Sequence, residues 1–156
     1  MSFRIRSADS EDGTALLALM PRLASFDVPK SRNPIDLWRS DAAMLQRWLD
    51  GDVPECLVNV AVDDDRNLLG FIMVSLRPEM LSHEPSAHLE AIAVAEGAEG
   101  KGVGQALLAA AESEAVEHGA RTITLHVFAS NTRARSFYEH SGYDGELLRY
   151  IKDLAG

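Results

Sequence analysis

A run of glycines between a strand pattern and a helix pattern constrains the fold of this chain more than any other feature. Four of the eight residues from Gly97 to Gly104 are glycine, and they directly follow the apolar run Ala87–Ala95. Apolar residues within 103–118 then recur at helical spacing. Backbone amides at a helix N-terminus attract anions, and glycine lets the main chain approach them closely. The segment predicts a strand–turn–helix unit whose turn is either a phosphate site or an ordinary connection.

Two common nucleotide-binding motifs do not fit this turn. A P-loop requires a hydroxyl residue after Gly-Lys, whereas Gly100-Lys101 is followed by Gly102. A dinucleotide fingerprint G-x-G-x-x-G that starts at Gly102 would need glycine in place of Leu107, and one that starts at Gly100 would need it in place of Gln105. The turn therefore suits a phosphate without identifying the molecule that carries it.

Hydrophobic patterns on both sides of this unit predict a mixed α/β sandwich around one central sheet. The order of elements is β-α-α-β-β-β-α-β-α-β, and Pro21 should kink or end the first helix. No linker or repeat interrupts the chain, so residues 1–156 are expected to form a single domain. The remaining predicted elements are a strand at Phe3–Arg6, helices over 9–23 and 35–49, strands at Cys56–Val62, Leu68–Leu76, Ala87–Ala95 and Arg121–Phe128, a helix at Asn131–Ser141 and a last strand or strand pair at Tyr143–Leu154.

Composition argues against several other classes of protein. The 15 basic and 24 acidic residues leave a net charge of −9, which disfavours nucleic acid and anionic membranes as partners. The apolar runs are far shorter than the ~20 residues of a membrane span, and the N-terminus lacks the apolar stretch of a signal peptide. Cys56 is the one cysteine, so neither an internal disulfide nor a cysteine-rich zinc site is expected. We therefore expect a cytoplasmic protein with no metal.

Three segments at fixed mutual spacing carry a family resemblance. They are the strand Leu89–Val94 (LEAIAV), the turn and helix Glu99–Leu108 (EGKGVGQALL) and the segment Leu125–Tyr143 (LHVFASNTRARSFYEHSGY). They resemble the fourth strand, the Q/R-x-x-G-x-G/A signature and the fifth strand with its following helix in the GNAT superfamily of acyl-CoA-dependent N-acetyltransferases. The resemblance implies an α/β (α+β) fold with a mixed central sheet of six to seven strands, about four flanking helices, and a splay between the fourth and fifth strands.

The resemblance also implies acetyl-CoA as the cosubstrate. Backbone groups of the fourth strand would hold its pantetheine arm, the glycine turn would cradle its pyrophosphate, and Asn131 would contact the arm. Glu99 stands where the family carries glutamine or arginine, so its carboxylate is expected to repel the pyrophosphate and weaken binding. The residues expected to bind the cofactor are Ile92, Ala93, Val94, Glu99, Gly100, Lys101, Gly102, Val103, Gly104, Gln105, Asn131 and Tyr138.

Three residues are candidates for catalysis. The resemblance places Tyr138 near the sulfur as the acid that protonates the departing thiolate, although its helical spacing alone is typical of core packing. His126 occupies the place where ribosomal-protein N-terminal acetyltransferases of the superfamily carry a glutamate, and it is either a base or an exposed strand histidine. Glu90 precedes an expected bulge that would aim a backbone N–H near Ile92 at the carbonyl oxygen. Glu90, or His88 on the same face, could relay a proton or bind a cationic substrate.

Together these features favour an N-acetyltransferase that moves the acetyl group of acetyl-CoA to a primary amine by direct attack in a ternary complex. A non-catalytic acyl-CoA-binding or regulatory module of the same fold is the alternative, and an unrelated nucleotide-binding protein is a third. The acceptor is a small-molecule or peptide amine, and a polyamine, an aminoglycoside, an amino acid and a protein N-terminus all stay open. The acidic surplus would favour a cationic acceptor, the loop Ser25–Asn33 is a candidate acceptor site, and relatives are often homodimers.

Overall fold

Alternating apolar residues build a five-stranded sheet through the middle of the protein. The computed structural model describes residues 2–155. Strand order in the sheet follows chain order, with antiparallel pairing between the first four strands and parallel pairing between the last two. The strands are β1 (Phe3–Ser7), β2 (Cys56–Asp63), β3 (Leu68–Pro78), β4 (Pro85–Val94) and β5 (Thr122–Leu125).

Within residues 2–155, four α-helices flank the sheet, as expected. They are α1 (Gly13–Leu19), α2 (Arg39–Leu49), α3 (Val103–Glu117) and α4 (Thr132–His140). The first helix is shorter than predicted, because the chain tightens into a 3₁₀ turn at Met20–Ala24, with Pro21 in its first turn. The second begins later than predicted, after another 3₁₀ turn at Pro34–Leu37. Of the helices within residues 2–155, none combines the length and the apolar character that a membrane span requires.

Both faces of the sheet are covered by helices. Leu107 and Leu108 of α3 join Ile72 in a fully buried cluster on one face, and α4 packs against the same cluster. On the other face, Leu16 of α1 and Leu45 of α2 pack with Phe71. Trp38 and Trp48 also pack against this second cluster.

A bulge interrupts β4 halfway along its length. Met73 of β3 lies opposite Ala91, whereas the next residue, Val74, lies opposite Leu89, so Glu90 is the extra residue of the bulge. Pairing between β4 and β5 also ends here, with Leu89 opposite Leu125. Beyond these residues the two strands part, which opens a cleft between them.

The predicted strand count of six to seven is wrong for the part of the chain that the structure describes. The sheet has five strands, β5 ends at Leu125 rather than Phe128, and residues 144–155 contain no helix or strand. The segment Tyr143–Leu154 has suitable residues for a strand, but its backbone pairs with no strand within residues 2–155. A strand forms only where its N–H and C=O groups find partners on a neighbouring strand.

Candidate active site

A cavity of about 580 Å³ opens where β4 and β5 part. The three predicted catalytic residues, Glu90, His126 and Tyr138, all line it. Of the predicted cofactor-binding residues, only Lys101 is not part of its wall, and Lys101 is exposed. The other cofactor-binding candidates line the cavity: Ile92, Ala93, Val94, Glu99, Gly100, Gly102, Val103, Gly104, Gln105, Asn131 and Tyr138.

The glycine turn leaves the N-terminus of α3 open toward the cavity. Gly100 and Gly102 have φ angles of +74° and +82°, a conformation that other residues rarely adopt. Gly102 precedes the first helical residue, and no side chain caps the helix. The backbone N–H groups of Val103, Gly104 and Gln105 have no hydrogen-bond partner among residues 2–155. Three aligned free donors at the positive end of a helix form a site suited to phosphate oxygens.

Glu99 is held between two arginines instead of standing alone beside the turn. Its carboxylate forms an ion pair with Arg22 and lies 3.4 Å from Nη1 of Arg133. Both arginines line the cavity, so the expected repulsion by Glu99 is offset locally. Arg22 and Arg133 were not predicted as site residues, because no spacing in the sequence links either of them to the turn.

The exposed edge of β4 is oriented as the family resemblance implied. The N–H of Ala95 donates to the carbonyl oxygen of Leu69 on β3, with an N···O distance of 2.8 Å. Because backbone groups alternate along a strand, those of Ile92 and Val94 face away from β3, toward the cavity, whereas those of Ala93 face β3. The carbonyl of Val94 accepts a hydrogen bond from Nε of Arg22 at 3.0 Å. The backbone N–H and C=O of Ile92 are therefore available to a ligand, whereas the carbonyl of Val94 already accepts a hydrogen bond.

Acidic side chains gather at the other end of the cavity. Glu90 is 13% exposed, its Oε2 atom has no hydrogen-bond partner among residues 2–155, and Arg77 is 3.9 Å away. Asp41 of α2 lines the same cavity, and burial, together with the charge of Glu90, raises its pKa to about 7. Asp41 was not predicted as a site residue either, since it lies far from Glu90 in the chain. This end of the cavity suits a cation.

Two histidines meet beside this acidic end. The ring of buried His88 lies 5.0 Å from the ring of His126, and its Nδ1 is 2.8 Å from Oγ1 of Thr124. Burial lowers the pKa of His88, Arg77 and His126 lower it further, and the charge of Glu90 opposes them. His88 is buried, whereas exposed His126 faces the cavity.

Tyr138 is both a core residue and part of the cavity wall. It belongs to the buried cluster under α3, with its ring against those of Phe137 and Tyr143, and it also lines the cavity. Its hydroxyl has no hydrogen-bond partner among residues 2–155. Burial raises the pKa of Tyr138 to about 12, so the phenol stays protonated throughout the neutral range.

The remaining wall joins the start of α4 to the loop after α1. Asn131 caps α4, since its side-chain oxygen accepts from the N–H of Ala134 at 3.2 Å, so its amide nitrogen is the group left for a ligand. Phe26 stacks near Phe128, with ring centres 5.5 Å apart. Within the loop predicted as the acceptor site, Ser25 and Phe26 line the cavity.

Metal ligation has no obvious place in this arrangement. Within the described residues, 2–155, no three His, Cys, Asp or Glu side chains cluster as metal ligands would. The groups available for chemistry in the cavity are its backbone amides, carboxylates, histidine and phenol.

Comparison with known proteins is consistent with this geometry. The family model described as the acetyltransferase (GNAT) family matches residues 20–143. The uncharacterized N-acetyltransferase YhfO of Bacillus subtilis strain 168 is 29% identical over 140 residues, which make up 90% of this chain and 89% of that protein.

Two further similarities differ in how much of each protein they cover. A mycothiol acetyltransferase of Renibacterium salmoninarum is 31% identical over 84 residues, which are 54% of this chain, and the match spans only 25% of that longer protein. A solved structure from Pyrococcus furiosus, assigned as an acetyl transferase, superposes with a TM-score of 0.80 at 25% identity and covers 98% of this chain and 100% of that one.

Proposed function

This chain belongs to the acetyltransferase (GNAT) family, and from that membership we propose that it transfers the acetyl group of acetyl-CoA to a primary amine by direct attack in a ternary complex. One observation carries the proposal. A single cavity has free helix N-terminal amides at one end and a buried carboxylate without a hydrogen bond at the other. An anionic cofactor and a cationic amine can therefore meet between them.

The residues at the anionic-ligand end fit acetyl-CoA. The N–H groups of Val103, Gly104 and Gln105 would hold the pyrophosphate, and Arg22 and Arg133 add positive charge next to them. The free backbone edge of Ile92 suits an extended amide-bearing arm, which would lie along β4 as an added strand does. Acetyl-CoA supplies the activated acyl group as a thioester.

Proton removal from the amine is the first task of the protein. An aliphatic ammonium group titrates near pH 10.4 and cannot attack until it loses a proton. Glu90 is placed to accept that proton, directly or through water, because its Oε2 is buried and has no hydrogen bond. Exposed His126, whose ring centre lies 5.0 Å from that of His88, offers a path for the proton from the cavity to solvent.

Two hydrogen-bond donors act on the reacting group. The N–H of Ile92, two residues after the bulge residue Glu90, faces the cavity. It can stabilise negative charge on the carbonyl oxygen of the acetyl group. The Tyr138 hydroxyl can donate to the sulfur. In water a thiol has a pKa near 8.5, so transfer from a phenol with a pKa of about 12 would be uphill. Partial desolvation of the thiolate in the cavity would reduce this difference, because burial raises the pKa of a thiol.

The acceptor class follows from the acidic end of the cavity. Burial and the charge of Glu90 disfavour the ionised form of Asp41, and the nearest Arg77 nitrogen is 3.9 Å from the Glu90 carboxylate. A cationic amine would relieve this repulsion. We therefore expect a small amine that carries a second positive charge to be a better acceptor than a neutral or acidic one.

Turnover of acetyl-CoA with a panel of amines tests the proposed function. Thiol release and product mass would be measured for the purified chain with a diamine, an aminoglycoside, an amino acid and a peptide N-terminus. Glu90→Gln should lower kcat/KM by about 10²-fold or more while calorimetric binding of coenzyme A is unchanged. Binding of coenzyme A without turnover of any amine would favour the non-catalytic module instead.

A further inference from the structure

Arg22 holds two parts of the cavity wall with one side chain. Its Nε donates to the carbonyl oxygen of Val94 at 3.0 Å, and its Nη2 pairs with the carboxylate of Glu99. The remaining nitrogen, Nη1, is 3.3 Å from Oγ of Ser25. Every nitrogen of the planar guanidinium group therefore has a partner, and the side chain connects the edge of β4 to the glycine turn.

The carbonyl that Arg22 bonds belongs to the free edge of β4. The N–H of Ala95 donates to Leu69 on β3. Because backbone groups alternate along a strand, those of Val94, like those of Ile92, face away from β3. The two carbonyls lie roughly 6.6 Å apart along the strand, and an extended cofactor arm with amide N–H groups would donate to both. At Val94, such an arm and Arg22 require the same acceptor.

Arg22 has another acceptor within reach of the same cavity. Phosphate oxygens would bind at the free N–H groups of Val103, Gly104 and Gln105. Arg22 lines the cavity together with these residues. A guanidinium group binds the paired oxygens of a phosphate in a bidentate geometry that a single neutral carbonyl does not offer. A bound phosphate would therefore attract Arg22 away from the strand edge.

Glu99 keeps a partner if Arg22 moves. Arg22 bonds its Oε1, whereas its Oε2 lies 3.4 Å from Nη1 of Arg133. The side chains of Arg22 and Glu99 are 25% and 34% exposed, so water reaches both. Their separation therefore costs less than the rupture of a fully buried ion pair, which would leave an unpaired charge without solvent.

We propose that Arg22 is a cofactor-binding residue that changes partners on binding: it releases the carbonyl of Val94 to the pantetheine arm and turns its guanidinium group to the pyrophosphate. This inference rests on the proposed function for the identity of the cofactor. Arg22 then opposes binding of the arm and favours binding of the phosphates. The phosphate-bearing half of the cofactor would free the edge of β4 for the other half, which disfavours thioesters that lack the phosphates.

Binding of the two halves of the cofactor tests this exchange of partners. Pantetheine carries the arm without the phosphates, and 3′-phospho-ADP carries the phosphates without the arm. Both would be titrated into the full chain and followed by NMR. Arg22→Met keeps the apolar stem and removes the guanidinium group, so affinity for pantetheine should rise about two- to tenfold and affinity for 3′-phospho-ADP should fall by a similar factor. Weaker binding of both halves, or an unchanged affinity for pantetheine, overturns the proposal.

Arg133→Gln is the matched control. Arg133 shares the carboxylate of Glu99 but forms no hydrogen bond to Val94 within residues 2–155. Its replacement should lower affinity for 3′-phospho-ADP and leave affinity for pantetheine unchanged. A gain in pantetheine affinity as large as in Arg22→Met would contradict the exchange, because it would not depend on the bond to Val94.

Arg22→Lys covers the case in which Arg22→Met destabilises the fold. Lysine keeps the positive charge, but its single ammonium group cannot bond Val94 and Glu99 in one rigid plane. Affinity for pantetheine should therefore rise, while affinity for 3′-phospho-ADP should fall less than in Arg22→Met. An unchanged or lower affinity for pantetheine in this variant also overturns the proposal.

Coupling between the two halves tests the exchange in the native chain. Saturating 3′-phospho-ADP should strengthen the binding of pantetheine about two- to tenfold, and pantetheine should strengthen the binding of 3′-phospho-ADP by the same factor. Arg22→Lys should lose most of this coupling, and Arg133→Gln should keep it. If the native chain binds coenzyme A without coupling between the halves, the exchange alone is wrong. If it binds neither half nor coenzyme A, the cofactor of the proposed function is wrong as well.

Discussion

Arg22 and Glu99 form an ion pair across 77 positions of sequence, and this pair connects the 3₁₀ turn after α1 to the glycine turn before α3. Arg22 also donates to the carbonyl of Val94, so one side chain bridges β4 and the turn. Arg133 joins the same carboxylate from α4. Three elements that are distant in the chain are therefore fastened around one end of the cavity.

Removing the charge of Glu99 should strengthen cofactor binding and weaken the fold slightly. Glu99→Gln leaves Arg22 and Arg133 without a carboxylate and free to turn toward the pyrophosphate, so affinity for coenzyme A should rise about two- to fivefold at low salt. Glu99→Arg should not weaken binding either, but it should lower Tm more, because it places a third cation between two arginines. Calorimetry and thermal unfolding measure the two effects. A large loss of affinity in Glu99→Gln would mean that the carboxylate holds the arginines in their binding positions.

Substitutions of two glycines at opposite ends of α3 distinguish the cost of backbone strain from an effect on cofactor binding. Gly102 and Gly119 have φ angles of +82° and +86°, and an added Cβ would meet no atom within 4 Å at either position. Gly102→Ala and Gly119→Ala should therefore each cost about 1–2 kcal/mol of unfolding free energy. Only Gly102→Ala should also weaken coenzyme A binding, by tenfold or more, since only Gly102 lies at the open N-terminus. Equal affinity in the two variants would remove the turn from the cofactor site.

A matched pair of tyrosines tests the proton donor. Tyr138→Phe should lower kcat by about 10²-fold or more with little change in KM for acetyl-CoA, because the lost hydroxyl acts on the sulfur. Tyr143→Phe removes a half-buried hydroxyl that bonds Glu112 and does not line the cavity. It should lower Tm and leave kcat within a few-fold of the native value. Steady-state kinetics at saturating substrate decide this, and an unchanged kcat in Tyr138→Phe would exclude the role.

Asp41 should make stability depend on pH in a recognisable direction. Its pKa is raised from 3.8 to about 7, so between these values the folded state binds more protons than the unfolded state. The contribution of Asp41 to stability is therefore largest at low pH and falls as pH rises through this window. Asp41→Asn removes the loss, so it should raise the unfolding free energy at pH 8 and change it little at pH 4. Asp50→Asn, which alters an exposed carboxylate just after α2, should show no such contrast. Denaturant titrations at both pH values make the comparison, and equal effects at the two would contradict it.

Local patterns were enough to predict much of the fold. The strand–turn–helix unit from β4 to α3 depends on the period of apolar side chains and on glycines that are close together in the sequence. It can therefore be predicted without knowledge of tertiary contacts. The predicted helix over 103–118 matches α3 to within one residue, and the order of elements is confirmed as far as α4. The residues assigned through the family resemblance also converge on one cavity, apart from Lys101.

The rest of the site was decided by contacts between distant segments. The partners of Glu99, the approach of Asp41 to Glu90 and the burial of His88 depend on how α1, α2 and β5 pack, and no spacing in the chain encodes them. Residues 144–155, the C-terminal segment, are the converse case: their local pattern predicted a strand that the structure does not contain. Its residues suit a strand, yet it forms none within residues 2–155, because strand structure requires a hydrogen-bonding neighbour. By itself the sequence thus determined the glycine turn, the helix after it and the order of elements, since each of these is local. Only the tertiary structure decided which charges meet in the cavity and which strand edges find partners, because both are properties of packing.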